Sequence, residues 1–153
     1  MEPLLPRLPA PFWTVPYAGA RFPGSTAVTR EPGLAAGANC QLFAYEVLRH
    51  FGLTPPALRS SDLWDDTDTT VRAQVLKPLD LLLFNGTDDP YGAHVGVWTD
   101  DDAVLHLCAE VGRPAVWSLA DFAARERYRV FIGAKSVTAP YRDGGSSAVH
   151  GKV

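Results

Sequence analysis

The sequence predicts an α+β domain in which one helix packs on an antiparallel β-sheet, and three observations predict it. Apolar residues at 40, 43, 44, 47, 48 and 51 form a stripe of helical period. Later runs at 79–84, 94–99, 103–108 and 128–134 are short, apolar and rich in β-prone side chains. The polar triplet Asp100-Asp101-Asp102 joins the second and third of these runs as a hairpin turn, which makes them antiparallel neighbours.

Residues 1–38 hold many of the prolines and the aromatics Phe12, Trp13, Tyr17 and Phe22, with no sustained period of 2 or 3.6. This stretch reads as an irregular wrapping segment, with 1–11 as an extension outside the domain. Asn39 is an N-cap and Gly52 a C-terminal stop for the helix between them. After Pro55-Pro56, Ser60-Ser61-Asp62-Leu63-Trp64 opens a short second helix. The run 79–84 reads as a buried strand closed by Asn85-Gly86. Centring the hairpin on Asp101 brings His94 and His106 close to opposite each other near one end of the ladder. Ser118 caps a further helix over 118–125, and 128–134 is the last strand. Beyond Lys135 the composition turns polar, and Gly144-Gly145-Ser146-Ser147 marks 136–153 as a flexible tail.

A chain of 153 residues that is 46% hydrophobic supports one core, so 12–135 is read as a single domain. The net charge of -3, with 14 Lys and Arg scattered along the chain, excludes a phosphate-backbone footprint, and no nucleic-acid partner is expected. Met1 to Pro9 lack a basic start and an uninterrupted apolar run, so no secretory signal is expected. No stretch approaches the roughly 18 apolar residues of a membrane span. The expected location is cytoplasmic, or outside the cell by a route that needs no signal peptide. Cys40 and Cys108 are expected to be reduced thiols.

Cys40 opens the helix, where free backbone N–H groups and the positive end of the helix dipole favour a thiolate and can hold an oxyanion. His94 could take the proton of such a thiol, and His106 could fix the tautomer of His94. Taken singly, each is as well read as a buried thiol or a packed histidine. Cys108 lies two residues after His106 on the same strand face, but no Cys-x-x-Cys or close His pair preassembles a zinc site. No metal and no cofactor are expected. Asp62, Asp65, Asp66 and Asp68 lack the glycine and terminal Glu of a calcium loop and read as a solvated loop near the cleft. Trp64 and Trp117 read as core.

In combination, Asn39-Cys40, Pro78-Leu79-Asp80 before Leu81-Leu82-Leu83-Phe84, His94-Val95-Gly96-Val97, His106 and the closing Ile132-Gly133-Ala134-Lys135 resemble the NlpC-type cell-wall peptidases of the papain-like superfamily. The resemblance covers residues 12–135. It implies a papain-like (NlpC-type) fold and a cysteine hydrolase with Cys40, His94 and His106 as its trio. Pro16-Tyr17 resembles the family's Pro-Tyr pair, making Tyr17 an oxyanion or substrate contact, with Asn39 and Gln41 as substrate-facing neighbours of the nucleophile. The family's Asp-Cys-Ser-Gly is replaced by Asn39-Cys40-Gln41-Leu42, and the Trp-Gly run after Pro-Tyr by Ala18-Gly19-Ala20-Arg21. The implied reaction is amide cleavage through a thioester, on a peptidoglycan stem peptide or a γ-glutamyl-type peptide. An acyltransferase or deamidase, or a silent binding module, would use the same shell.

Overall fold

The computed structural model describes residues 3–138; of the tail expected over 136–153, Ser136 and Val137 belong to the last strand and residues 139–153 lie outside the described residues. Helix α2, Cys40–His50, is the central element. Asn39 caps it, its side-chain oxygen accepting from the Leu42 N–H at 2.8 Å. Leu42, Phe43, Ala44, Val47 and Leu48 are buried on it, and each large apolar side chain contributes about 1.5–3 kcal/mol of burial free energy.

Six strands form one antiparallel sheet in the order β1-β6-β2-β3-β4-β5. They are β1 Thr70–Ala73, β2 Leu81–Asn85, β3 His94–Trp98, β4 Val104–Leu107, β5 Pro114–Trp117 and β6 Val130–Val137. Alternation splits the side chains cleanly. Leu81, Leu83, Val95, Val97, Leu105 and Leu107 join the core under α2, whereas Leu82, Phe84, Trp98, Val104, Cys108 and Trp117 join a second core on the far face. Burial on both faces is why β2 is a continuous apolar run.

The far face is closed by α4, Leu119–Ala123, whose Ser118 and Asp121 form a reciprocal capping box. Phe122 stacks on Phe84 with ring centroids 4.0 Å apart. Helix α3, Ser60–Asp65, lies before β1.

Several elements differ from expectation. The wrapping segment contains α1, Thr26–Arg30, capped by Ser25; at five residues it is too short to show a period. Strands β1 and β5 are four-residue edges, and β5 opens on Pro114, which an edge tolerates because no neighbour needs its N–H. Strand β2 begins at Leu81 rather than at 79 because Leu79 turns the backbone to φ +78°. Tyr128 belongs to a 3-10 turn, Glu126–Tyr128, so β6 begins at Val130 and runs on to Val137. The acidic segment is not a cleft loop: the Asp66 carboxylate accepts from the backbone and hydroxyls of Thr69 and Thr70 and fixes the turn into β1. Those bonds hold it below the ordinary Asp value.

Candidate active site

Cys40 is the first residue of α2, and the chain segment before it is fastened to residues 16–21. Ala18 N–H donates to Ala38 O at 2.8 Å, Ala38 N–H to Pro16 O at 3.1 Å, and Asn39 N–H to Arg21 O at 2.9 Å. The buried Arg21 side chain donates to the carbonyls of Gly37, Ala27, Glu31 and Gly33 and holds the intervening loop against this junction. Gly37 makes the close approach possible. Its φ is +107°, and a Cβ there would lie 2.8 Å from Pro16 O and 2.9 Å from the Ala18 methyl. Tyr17, in the middle of the docked segment, also donates its N–H to Gly112 O at 3.1 Å and lines the same cleft as Cys40.

His94 opens β3, and the residue before it is pinned by α3: Ala93 N–H donates to the Ser60 hydroxyl at 3.2 Å. Ser60 was expected to cap α3, but Arg59 occupies the N-cap and the Ser60 hydroxyl serves this longer-range bond. The observed register pairs Val97 with Leu105 and Trp98 with Val104, so His94 and His106 are diagonal rather than directly opposite. Their rings meet through His94 Nε2 and His106 Nδ1 at 2.9 Å, with ring planes at 89°. Gly96 permits this approach, since a Cβ there would come within 2.4 Å of Val104 Cγ1 and 3.3 Å of His106 Cβ.

An aromatic cage surrounds the pair. His106 is fully buried, 4.3 Å from the Trp117 ring and 4.7 Å from Phe122, while Tyr128 lies 4.7 Å from the His94 ring. Burial therefore pushes the His106 imidazole down to about 3, aided by the positive charge of Arg125. His94 is held well below the usual histidine value by burial, then by the neighbouring His106 and by Arg127. Both rings are neutral at pH 7.

The thiol of Cys40 departs from the sequence expectation. Burial pushes it above the ordinary cysteine value, against opposing backbone hydrogen bonds from Val95, Gln41 and Cys40 itself and the charge of Arg59. At neutral pH the two groups are therefore a thiol and a neutral imidazole. Tyr17 is likewise raised, by burial and by the proximity of Cys40, and keeps its hydroxyl proton at neutral pH.

A cleft of about 570 Å³ gathers Tyr17, Cys40, His94, Cys108 and the turn residues Arg127 and Tyr128 on its walls. His106 sits behind His94. Two expected contacts are not brought to the cleft. The Asn39 side chain is spent on the helix cap, and the Gln41 amide nitrogen donates to Tyr45 Oη at 2.7 Å and Leu58 O at 2.5 Å; what Gln41 offers the sulfur is its backbone. Cys108 is a buried free thiol on the cleft wall, and among the described residues no three His, Cys, Asp or Glu side chains are grouped to hold a metal ion. Arg127, Tyr128 and Phe122 were not singled out from the sequence, where 125–129 shows only alternating charge.

Among solved structures, the NlpC/p60 domain of the peptidoglycan hydrolase SagA superposes with a TM-score of 0.50 at 20% identity, covering 83% of this chain and 91% of that one. The fold is the papain-like fold of the NlpC/p60 domains. Neither a protein-family model nor a curated protein sequence matches the chain. In this NlpC-type fold, the described residues include no helix long and apolar enough to cross a membrane.

Proposed function

We propose that the protein is an NlpC-type cysteine hydrolase that cleaves an amide bond through a thioester intermediate. The observation that carries this reading is the placement of Cys40 and His94 on one cleft, with the far nitrogen of His94 held at 2.9 Å by a fully buried His106. Because Nε2 of His94 is engaged, Nδ1 is the nitrogen left to serve the thiol.

The tautomer follows from the cage. If His94 carries its proton on Nε2 and donates to His106 Nδ1, then His106 carries its own proton on Nε2, a buried atom with no hydrogen-bond partner among the described residues. An N–H set among electron-rich ring faces is better tolerated than a bare lone pair there. The cage thus favours the tautomer that leaves His94 Nδ1 free to accept a proton. Cys40 Sγ attacks the substrate carbonyl as His94 takes its proton; His94 then returns the proton to the leaving amine, and water releases the acyl group. Backbone N–H groups at the start of α2 and the Tyr17 hydroxyl hold the oxyanion.

The substrate proposed is a peptidoglycan stem peptide, supported by the fold shared with a domain of a peptidoglycan hydrolase. An acyltransferase or deamidase would share every step up to the thioester. A silent binding module is disfavoured because binding alone has no use for a thiol and an imidazole on one cleft with a second buried imidazole hydrogen-bonded behind them. The test is digestion of purified stem peptides, with and without an added amine acceptor, read by mass spectrometry. Hydrolysis lost in Cys40→Ala and His94→Ala is expected; cleavage that persists in Cys40→Ala defeats the proposal.

A further inference from the structure

The charged residues that line the cleft are Glu126, Arg127 and Arg129. Arg129 is committed, donating from Nε to Gly86 O at 3.0 Å with Nη1 3.8 Å from Glu126 Oε2. Arg127 is exposed and has no carboxylate or carbonyl partner among the described residues; its guanidinium carbon lies 5.8 Å from the centroid of the Tyr128 ring. An arginine in such a position presents a free fork of donors to whatever enters the cleft.

Its backbone is fixed by the neighbouring contacts. Tyr128 N–H closes the turn on Arg125 O at 3.1 Å, and the side chain of Arg129 ties the turn to Gly86. Gly86 itself packs on the turn, where a Cβ would sit in ordinary contact, 3.4 Å from Glu126 O and 3.9 Å from the Arg127 Cα. The cation is therefore held at the cleft by the same turn that places Tyr128 against His94.

We propose that Arg127 is the specificity-determining residue of this cleft and selects amide substrates that carry a free carboxylate close to the scissile bond. The inference rests on the reading of Cys40 as nucleophile. It also gives Arg127 a second effect. Its positive charge lowers the proton affinity of His94, so a bound carboxylate that neutralises Arg127 raises that affinity when the base is needed.

The test uses two pairs of alkylating probes that differ only in charge: iodoacetate against iodoacetamide, and N-iodoacetylglycine against N-iodoacetylglycinamide. In each, the Cys40 sulfur displaces iodide and its proton passes to His94 or to solvent. Rates at Cys40 are read by peptide mass mapping and expressed as the anion-to-neutral ratio, relative to free cysteine. In at least one pair the parent protein should favour the anion by about two- to five-fold, the range of one solvent-accessible ion pair. Arg127→Gln should abolish that preference and Arg127→Lys should keep part of it. Arg30→Gln, which makes the same change in net charge on α1 outside the cleft, should leave it intact. If the anion is favoured in neither pair, or the preference survives Arg127→Gln, or Arg30→Gln reduces it equally, the inference is overturned while the nucleophile assignment stands. If no probe modifies Cys40, the nucleophile assignment fails and the inference falls with it.

Discussion

His106 should make the protein measurably acid-labile, and the size of the effect follows from its burial. The folded protein protonates this imidazole only near pH 3, whereas an unfolded chain protonates it near 6.5. Between those values the unfolded state holds one proton more than the folded state. Stability from this group is therefore fully present above pH 6.5 and is lost as pH falls, by about 1.4 kcal/mol per unit once the unfolded histidine is charged. From pH 7 to pH 5 the loss is about 2 kcal/mol, a large share of a typical domain's stability. His106→Gln removes the titrating group and preserves a side chain that can hydrogen-bond His94. Urea unfolding of both proteins at pH 7, 6 and 5, extrapolated to water, reads the effect, because the carboxylates cancel in the difference and His94, whose depression by His106 is relieved in the variant, can only widen it. The parent should lose about 2 kcal/mol more than the variant over this range. Parallel pH dependences would refute the argument that His106 is kept neutral in the folded state.

Iodoacetamide near neutral pH should modify Cys40 well before Cys108, which is buried on the wall while Cys40 is partly accessible; equal labelling in a folded sample would remove the nucleophile assignment. Tyr17→Phe should lower turnover of a cleaved stem peptide by about 10²-fold with unchanged thermal stability, as expected for loss of one oxyanion donor, and unchanged turnover would confine Tyr17 to packing. Gly37→Ala should destabilise the fold by about 2 kcal/mol or more, because the Cβ meets Pro16 O and the φ is +107°; a melting temperature equal to the parent's would show that the docked segment relaxes freely.

The helix, the buried strand and the hairpin were legible because each rests on a local signal: a period in α2, a cap at Asn39, an apolar run at β2 and a polar turn between β3 and β4. Cys40 was singled out by its place at the helix start, His94 by the hairpin and both with Tyr17 by resemblance, and the structure sets all three on one cleft. What was not legible depends on tertiary contact. Edge strands β1 and β5 have too few residues to show a pattern. Gln41 looked substrate-facing beside the nucleophile, yet a helix turns adjacent side chains about 100° apart, and its amide is drawn to Tyr45 and Leu58. The raised thiol of Cys40 was missed for a similar reason: the helix N-terminus is a local feature, whereas the burial that outweighs it is contributed by the rest of the cleft.

These contacts also explain how the candidate site is positioned within the fold. Each residue of the proposed trio is located by a close approach. Gly37 lets residues 16–18 lie against the start of α2, Ser60 pins the residue before His94, and Gly96 lets His106 reach His94 diagonally. None of these devices needs a particular side chain on the surrounding surface; they need absent or small side chains and one hydroxyl at three points. The cores on either side of the sheet can then be rebuilt with other apolar residues of similar volume, which packing tolerates. The Glu126–Tyr128 turn lies on the cleft wall but outside these three approaches. On the proposal made for Arg127, exchanging that side chain alone would change the charge offered to a substrate, while the backbone of the turn, and with it the Tyr128 ring packed on His94, stays in place.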